Sequence, residues 1–212
     1  MSPFGYRFSK WWCRVALRLL FRASWRGAPF PATGPVVVVA NHTSFLDPPL
    51  TGSGCPRPIR FLARDTLAKI PLLGRWMRWV GVVLVDRAAP TATTLGILIG
   101  ILREGGVVLV FPEGTRSRSG EIGEFKRGVL LLLKQTDAVV VPAGVRGTFR
   151  AFPPNARFPR LFRKVSVVWG EPVPGAEVRA AGGLERLRAT IGELAGLPLA
   201  GSGESRTPAR SE

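Results

Sequence analysis

The chain has 212 residues, 46% of them hydrophobic, and carries 30 Lys and Arg against 14 Asp and Glu, a formal net charge of +16. This length predicts one substantial core and one domain, and the charge predicts an anionic partner such as a phospholipid surface or phosphorylated small molecules. Nucleic acid is the poorer candidate, because the sequence has neither zinc-finger spacing nor an RNA-binding aromatic signature.

The cysteines and the single histidine argue against two further classes of protein, those held by disulfides and those that bind zinc. Cys13 and Cys55 lie in unrelated contexts, and His42 is the only histidine. Two scattered thiols predict neither a disulfide framework nor a zinc site, and they fit a reducing compartment. We therefore predict no metal, and metal-assisted hydrolysis is a poor candidate.

Within residues 1–30, the stretch 10–26 carries a basic residue at every fourth position, with tryptophan and aliphatic residues between them. The basic residues are Lys10, Arg14, Arg18, Arg22 and Arg26. In a helix this pattern separates charge from apolar bulk, and the pair Trp11 and Trp12 favours a helix lying on an anionic membrane surface. The alternative is an ordinary helix packed on the domain with a solvated arginine face. The arginines argue against a signal peptide, and no run of roughly 18 apolar residues predicts a spanning helix.

From Pro35 onward, short β-branched runs alternate with segments of helical length. The predicted strands are Val36–Ala40, Ile59–Ala63, Val80–Val85, Val107–Phe111, Ala138–Val141 and Val165–Trp169. The predicted helices are Pro48–Gly54, Lys69–Trp79, Thr91–Arg103, Lys126–Gln135 and Glu177–Ala195. The pattern predicts an α/β domain over residues 31–195 with a mixed, largely parallel central sheet flanked by helices, followed by a disordered tail over residues 196–212.

Loops that carry reactive side chains follow three of the predicted strands, and ligands collect at such strand ends in open α/β sheets. The first loop begins at Asn41. Histidine titrates near neutrality, and a bend in this loop would let Asp47 orient His42 while the other ring nitrogen takes a proton from a hydroxyl. The alternative is a structural histidine at a strand end. Asn41 and Ser44 are predicted to serve as turn and helix-cap residues.

The second loop is Phe111–Ser117. Gly114 lets the backbone approach a ligand closely, and the planar fork of Arg116 suits phosphate. Glu113 would align that guanidinium or bind a substrate hydroxyl. The alternative is a tight turn with a solvated salt bridge. The third loop begins with Asp86-Arg87, and this arginine would join Arg116 around a phosphate.

Four sequence blocks follow one another in a specific order. They are Asn-His-x4-Asp from Asn41, a glycine-led strand ending in Asp86-Arg87, Phe-Pro-Glu-Gly-Thr-Arg-Ser from Phe111, and Val-Pro-Ala-Gly-Val-Arg-Gly from Val141. The ordered set resembles the glycerolipid acyltransferases, most of all the lysophosphatidic acid acyltransferases. The run Phe125–Gly128 is also similar to a segment that such enzymes carry between their third and fourth blocks. The resemblance covers about residues 36–172.

The resemblance implies direct transfer of a fatty acyl group from acyl-CoA or acyl carrier protein to the free hydroxyl of lysophosphatidic acid, giving phosphatidic acid for phospholipid biosynthesis. No acyl-enzyme and no cofactor is implied. His42 would be the base and Asp47 its orienting partner. The acceptor would be bound by Arg87, Glu113, Gly114, Thr115, Arg116 and Lys126, and Pro142 would shape the acceptor or acyl site. The enzyme would be a peripheral protein at the cytoplasmic face of a membrane.

Two departures from the family pattern leave the acceptor open. Leu84 stands where phenylalanine is often found, and Ala143-Gly144 stand where larger residues are frequent. The alternatives are another lysolipid acceptor and a catalytically silent lipid-binding protein. A thiol route through Cys55 is the remaining chemical rival, although no second histidine exists to activate it.

Overall fold

The structure is a computed structural model that describes residues 3–64, 82–85 and 91–201. The helices of this part are α1 (Pro3–Phe21), α2 (Asp47–Gly54), α3 (Thr91–Arg103), α4 (Gly128–Lys134), α5 (Thr148–Ala151), α6 (Gly175–Arg179) and α7 (Gly183–Ala195). The strands are β1 (Ser24–Gly27), β2 (Val36–Ala40), β3 (Ile59–Arg64), β4 (Val83–Val85), β5 (Val107–Val110), β6 (Val139–Arg146), β7 (Ser166–Trp169) and β8 (Val173–Pro174). The predicted helix over residues 69–79 and the candidate site residue Arg87 lie outside the described residues.

The described strands form one sheet in the order β1, β7, β6, β2, β5, β3, β4, with β8 beside β6. All pairs are parallel except β6 with β7 and β6 with β8. The central strand β2 is apolar throughout and fully buried, as a strand covered on both faces must be. The predicted α/β fold with a mixed, largely parallel sheet is therefore confirmed.

Alternate side chains of the central strands enter two separate cores, because successive residues of a strand point to opposite faces. Val36 and Val38 face the core that contains residues of α1 and α2. Val37 and Val39 face the core formed with α3, α4 and α7. A Cβ added at Gly144 of β6 would lie 2.2 Å from a backbone carbon of α7, so the glycine of the fourth sequence block permits this close packing.

The N-terminal helix is shorter than the predicted one. It ends at Phe21, and residues 24–27 form β1, which pairs in parallel with β7, so Arg22 and Arg26 do not lie on the helix. The backbone explains the difference, since Arg22 adopts a φ of 48°, the left-handed conformation that commonly ends a helix. Trp25 then packs beneath α1 and donates a hydrogen bond to the carbonyl of Leu50 in α2 over 2.8 Å.

Helix α1 has one face in the core and another in solvent. Leu17 and Phe21 are buried with α2, whereas Trp11, Trp12 and Leu19 are 55%, 52% and 69% exposed. Helix α1 is thus packed on the domain, as expected for an ordinary surface helix. It also presents exposed apolar side chains, as expected for a helix that lies on a membrane. In the ranges 3–64, 82–85 and 91–201, no helix has the length and apolarity needed to cross a bilayer.

Two predictions near the C-terminus are wrong. The predicted helix Glu177–Ala195 is two helices, α6 and α7, separated at Gly182 with a φ of 70°. The predicted disordered tail begins too early, because residues 197–200 pack against Ile122 and pair with its backbone through two hydrogen bonds of 2.9 Å. The leucines at 197 and 199 contact the second core, which explains why this stretch is held. Residues 202–212 lie outside the described part.

Candidate active site

The turn after β2 brings His42 and Asp47 together, as the sequence analysis predicted. Nδ1 of His42 lies 2.9 Å from Oδ2 of Asp47, and the same oxygen accepts the backbone N–H groups of Thr43 over 2.6 Å and Ser44 over 2.7 Å. Asp47 is fully buried in the first turn of α2, where the positive end of the helix dipole favours a carboxylate. The Asp47 carboxylate therefore holds the backbone of the turn and sets the orientation of the His42 imidazole.

The second loop holds the backbone of His42 from the other side. The His42 N–H donates to Oε1 of Glu113 over 2.7 Å, and the Ser117 N–H donates to the His42 carbonyl over 2.8 Å. The ring of Phe111 stacks on the imidazole with 4.1 Å between centroids and 20° between planes. Among the described residues no group is hydrogen-bonded to Nε2, and 19% of the His42 side chain is exposed. Nε2 is thus the ring nitrogen available to a substrate.

Glu113 joins two loops beneath the histidine. Its Oε1 accepts the His42 N–H, and its Oε2 accepts the Gly123 N–H over 3.1 Å. Burial raises the pKa of the Glu113 carboxyl above its ordinary value, while the two N–H donors act in the opposite direction. Both oxygens thus accept backbone N–H groups, and these contacts position the His42 backbone. The predicted contact of Glu113 with the acceptor stays a prediction.

Asn41 has a different role from the predicted one. Its side chain is fully buried and exchanges two hydrogen bonds with the backbone of Val145 in β6, of 3.0 and 2.7 Å. The amide therefore continues the β2–β6 pairing for one more residue and does not cap a turn. Ser44 does serve the turn, because its Oγ accepts the Leu46 N–H over 3.1 Å and donates to the Phe152 carbonyl over 2.7 Å.

A cleft of about 450 Å³ opens beside this turn. Its wall includes Thr115, Arg116 and Arg118. The guanidinium carbon of Arg116 lies 3.5 Å from the centroid of the Phe45 ring, a cation–π contact that fixes the group near the His42 turn. Glu121 and Glu124 stand in the same wall, and the cleft adjoins the His42 turn through Glu113 and Ser117, which bind the His42 backbone.

Gly114 brings Lys126 to the same loop. Its φ of 70° is a conformation that side-chain-bearing residues rarely adopt, and an added Cβ would lie 2.8 Å from the Lys126 Nζ. Lys126 is also tied to the loop by its N–H, which donates to the Pro112 carbonyl over 2.9 Å. The structure therefore groups Gly114, Thr115, Arg116 and Lys126.

Pro142 is not part of this group. It lies within β6, opposite Val39, and lines a separate cavity with residues of α6 and α7. Pro142 does not line the Arg116 cleft, and its predicted role in shaping the acceptor or acyl site stays a prediction.

Three residues that hold the site were missed by the sequence analysis. Phe111 stacks on the histidine, Ser117 binds its carbonyl through the backbone, and Arg188 of α7 binds the loop that carries Gly123. The first two are the end residues of a block in which only Glu113 to Arg116 were predicted as site residues. Arg188 has other arginines near it in the sequence, and no local pattern indicates that Arg188 is the buried one.

The sequence and the fold match known proteins. The Acyltransferase family model matches residues 24–146, more than half of the chain. The chain is 29% identical to the chloroplastic 1-acyl-sn-glycerol-3-phosphate acyltransferase of Arabidopsis thaliana over 82% of this chain and 50% of that protein. It is also 29% identical to the 1-acyl-sn-glycerol-3-phosphate acyltransferase of Bacillus subtilis, over 75% of this chain and 77% of that protein.

A solved structure agrees with these matches. The crystal structure of the 1-acyl-sn-glycerophosphate acyltransferase PlsC from Thermotoga maritima aligns with 90% of this chain and 77% of its own, with 27% identity and a TM-score of 0.68. The chain spans about half the length of the plant and algal relatives it matches. By family model, relatives and fold, the chain belongs to the Acyltransferase family.

Proposed function

We propose that the protein transfers a fatty acyl group from an acyl thioester to the free hydroxyl of lysophosphatidic acid, giving phosphatidic acid. The observation that carries the proposal is the 2.9 Å contact between Nδ1 of His42 and the buried Asp47, next to a cleft lined by Arg116. The names of the relatives support this choice of acceptor. Acyl-CoA and acyl carrier protein both supply the required thioester.

The geometry suits general-base catalysis. Nε2 of His42 takes the proton of the acceptor hydroxyl while the oxygen attacks the thioester carbonyl carbon. The tetrahedral intermediate then collapses, the carbon–sulfur bond breaks, and the imidazolium returns its proton to the departing thiolate. Asp47 keeps the proton of the neutral ring on Nδ1 and stabilises the imidazolium. No acyl-enzyme forms, and the step calls for no metal or cofactor.

A thiol route is disfavoured by the surroundings of both cysteines. Burial raises the pKa of Cys13 and of Cys55 to about 11, so little thiolate forms near neutrality. Cys55 is also fully buried, whereas 19% of the His42 side chain is exposed. Replacing Cys55 by serine is expected to leave transfer unchanged.

Arg116 of the cleft and Lys126 beside the neighbouring Gly114 suit the phosphate of the acceptor. Arg116, fixed over Phe45, presents a planar fork for phosphate oxygens, and Lys126 lies against Gly114. Arg87, which lies outside the described residues, is proposed for the same phosphate on the strength of the family resemblance.

The acceptor is an amphiphile, and we place the protein at the cytoplasmic face of a membrane. Exposed Trp11 and Trp12 on α1, with Arg14 and Arg18 on the same helix, support contact with an anionic lipid surface. Replacing both tryptophans by serine is expected to reduce flotation with anionic liposomes. Flotation equal to that of the wild type would contradict this location.

The test of the activity measures transfer from oleoyl-CoA and from oleoyl carrier protein to a panel of lysolipids, with lipid mass spectrometry of the product. His42→Ala is expected to lose a factor of about 10² to 10⁴ in turnover while vesicle binding is unchanged. Transfer to a different lysolipid alone would contradict the acceptor. Absence of transfer to any acceptor by the wild type would favour a silent lipid-binding protein.

Arg116→Ala tests the phosphate site separately. Loss of charge-assisted hydrogen bonds worth about 1.5 to 3 kcal/mol predicts acceptor binding roughly ten to a hundred times weaker, with little change toward monoacylglycerol, which has no phosphate. Arg103→Ala is the matched control, because this exposed arginine ends α3 just before the amino end of β5, whereas the Arg116 loop follows the carboxyl end of that strand. If acceptor affinity were unchanged in Arg116→Ala, the assignment would be wrong.

A further inference from the structure

The segment between α5 and β7 exposes large apolar side chains. Phe158 and Phe162 are 71% and 67% exposed, and Leu161 between them is 45% exposed. Three such residues within five positions form a patch of the kind that marks an interaction site, whereas single exposed apolar residues are ordinary.

The backbone holds Phe162 in an unfavourable conformation. Its φ is 60°, and a bulky residue in the left-handed region is a genuine outlier. The Phe162 N–H donates to the carbonyl of Leu20 at the end of α1 over 2.6 Å, which fixes the residue there. A strained residue that keeps an aromatic ring in water points to a role for the ring outside the folded chain.

Residues 150–164 are also strongly basic. The segment carries five Arg and Lys residues and no Asp or Glu. The basic residues are Arg150, Arg157, Arg160, Arg163 and Lys164, and all five are exposed. Exposed aromatic rings flanked by cations are the composition that favours an anionic bilayer interface, where rings insert at headgroup level and cations meet lipid phosphates.

The patch continues the exposed face of α1. Phe162 and Val165 donate their N–H groups to Leu20 and Phe21, so the segment runs beside the end of the helix. Leu19 and Leu20 are themselves exposed there. An acidic partner protein would satisfy the charges, but continuity with a helix that carries paired tryptophans and arginines favours lipid.

The same segment reaches the His42 turn. The Phe152 carbonyl accepts the Ser44 Oγ–H over 2.7 Å, and the Phe152 and Phe45 rings lie 5.6 Å apart. A membrane bound at residues 157–164 would therefore lie close to the mouth of the cleft, where an acceptor leaves the bilayer.

We propose that residues 157–164 form a second lipid-contact surface that binds an anionic bilayer beside α1, with Phe158 and Phe162 inserted at headgroup level. The proposal deepens the proposed function, since it explains how a membrane-borne acceptor reaches His42. It requires contributions from both the rings and the arginines.

The test uses the full chain and sedimentation with vesicles of phosphatidylcholine, with and without phosphatidylglycerol. Phe158→Ser combined with Phe162→Gly removes both rings, and glycine suits the backbone at 162, so the thermal midpoint should not fall. Partition into anionic vesicles is expected to fall by about tenfold or more for each ring. Leu131→Ser is the matched control, since Leu131 is 49% exposed on α4, on the other side of the sheet.

A second variant tests the charges. Arg157→Gln, Arg160→Gln and Arg163→Gln together are expected to reduce partition into anionic vesicles by roughly fivefold per arginine and to leave binding to neutral vesicles unchanged. Wild-type partition by the ring variant would overturn the proposal. The proposal would also be overturned if these variants lost binding to an acidic acyl carrier protein while their binding to vesicles stayed intact. That result would make the surface a protein-docking site.

Acyl transfer to a monomeric short-chain acceptor separates this inference from the proposed function. The ring variant should keep that transfer while losing transfer to vesicle-borne acceptor. If the wild type transferred no acyl group at all, the proposed function would fail, and the vesicle measurement would still decide whether residues 157–164 bind lipid.

Discussion

At the scale of single residues, the candidate base His42 is held in place by contacts to both its ring and its backbone. Asp47 binds the imidazole, Phe111 stacks on it, and Glu113 and Ser117 bind the two polar backbone atoms of His42. Because misplacement by about 1 Å can cost a factor of 10² in rate, these positioning contacts are a substantial part of the site's chemistry.

Glu113→Gln tests the positioning role. The amide keeps the size of the side chain but presents an NH₂ group to one of two backbone N–H donors, which leaves a buried donor unpaired at a cost of about 1 to 3 kcal/mol. We expect kcat to fall by roughly ten- to a hundredfold with little change in KM for the acceptor. Steady-state kinetics measure the two parameters.

The matched control is Glu124→Gln, an exposed carboxylate in the wall of the same cleft. We expect nearly wild-type kinetics from it. A raised KM with unchanged kcat in Glu113→Gln would instead show that this carboxylate contacts the acceptor, as the sequence first indicated.

At the scale of elements, helix α7 is hydrogen-bonded to the loop that supports the His42 turn. Arg188 of α7 is buried and donates to the carbonyls of Gly123 over 2.9 Å, Ile122 over 3.0 Å and Ala200 over 2.7 Å. Gly123 in turn donates to Glu113, which binds His42. A continuous chain of hydrogen bonds therefore joins α7, outside the family-matched residues 24–146, to the base.

Arg188→Met tests this connection. The variant keeps a flexible apolar stem but leaves the carbonyls of Gly123 and Ala200 without the Arg188 donor, while the Ile122 carbonyl keeps the Ala200 N–H. Loss of stability of about 1 to 3 kcal/mol is expected. Arg186→Met is the control, since Arg186 is exposed on the same helix and should change stability by about 0.5 kcal/mol or less. Denaturant unfolding measures both. Equal stability of the two variants would show that the buried guanidinium does not hold the loops.

The elements also show what the sequence could predict. Apolar strands such as Val36–Ala40 and the contact of His42 with Asp47 were predictable, because hydrophobic runs and ordered blocks are local signals. Strand β1 was missed because its sequence, Ser24–Gly27, has no apolar run and continues the arginine spacing of α1. Its strand state depends on pairing with β7, more than a hundred residues away. The Gly182-Gly183 pair did carry a local signal for the break before α7, and it was overlooked.

At the scale of the whole molecule, positive charge is concentrated where lipid is proposed to bind. Residues 3–21 carry four basic residues, and residues 150–164 carry five, and neither segment contains an acidic one. A surface patch of positive charge attracts an anionic membrane, and this attraction becomes weaker with added salt. The fold thus places a cationic, partly apolar surface on the side of the sheet that carries α1 and α2.

Global stability should depend on pH through the thiols buried near α1 and α2. Burial raises the pKa of Cys55 from 9.0 to about 11, although the N–H of Arg57 and the charge of Lys10 oppose the change. A thiol whose pKa is higher in the folded state contributes stability that is complete below pH 9.0 and is lost as pH rises through about 11. Lys10 acts in the opposite sense, because burial lowers its pKa and its neutralisation removes a buried charge.

Cys55→Ala isolates the contribution of Cys55, because it removes this thiol and leaves Cys13 and Lys10 in place. Above pH 11 the wild type is expected to have lost about 2 to 3 kcal/mol through Cys55, so the stability difference between wild type and variant should shrink by that amount between pH 8 and pH 11. Urea unfolding at a series of pH values measures the difference, and the small cavity left by alanine contributes a constant offset. A difference that does not vary with pH would mean that the thiol ionises as easily in the folded chain as in the unfolded one, and the packing of α1 on α2 would then be looser than these contacts imply.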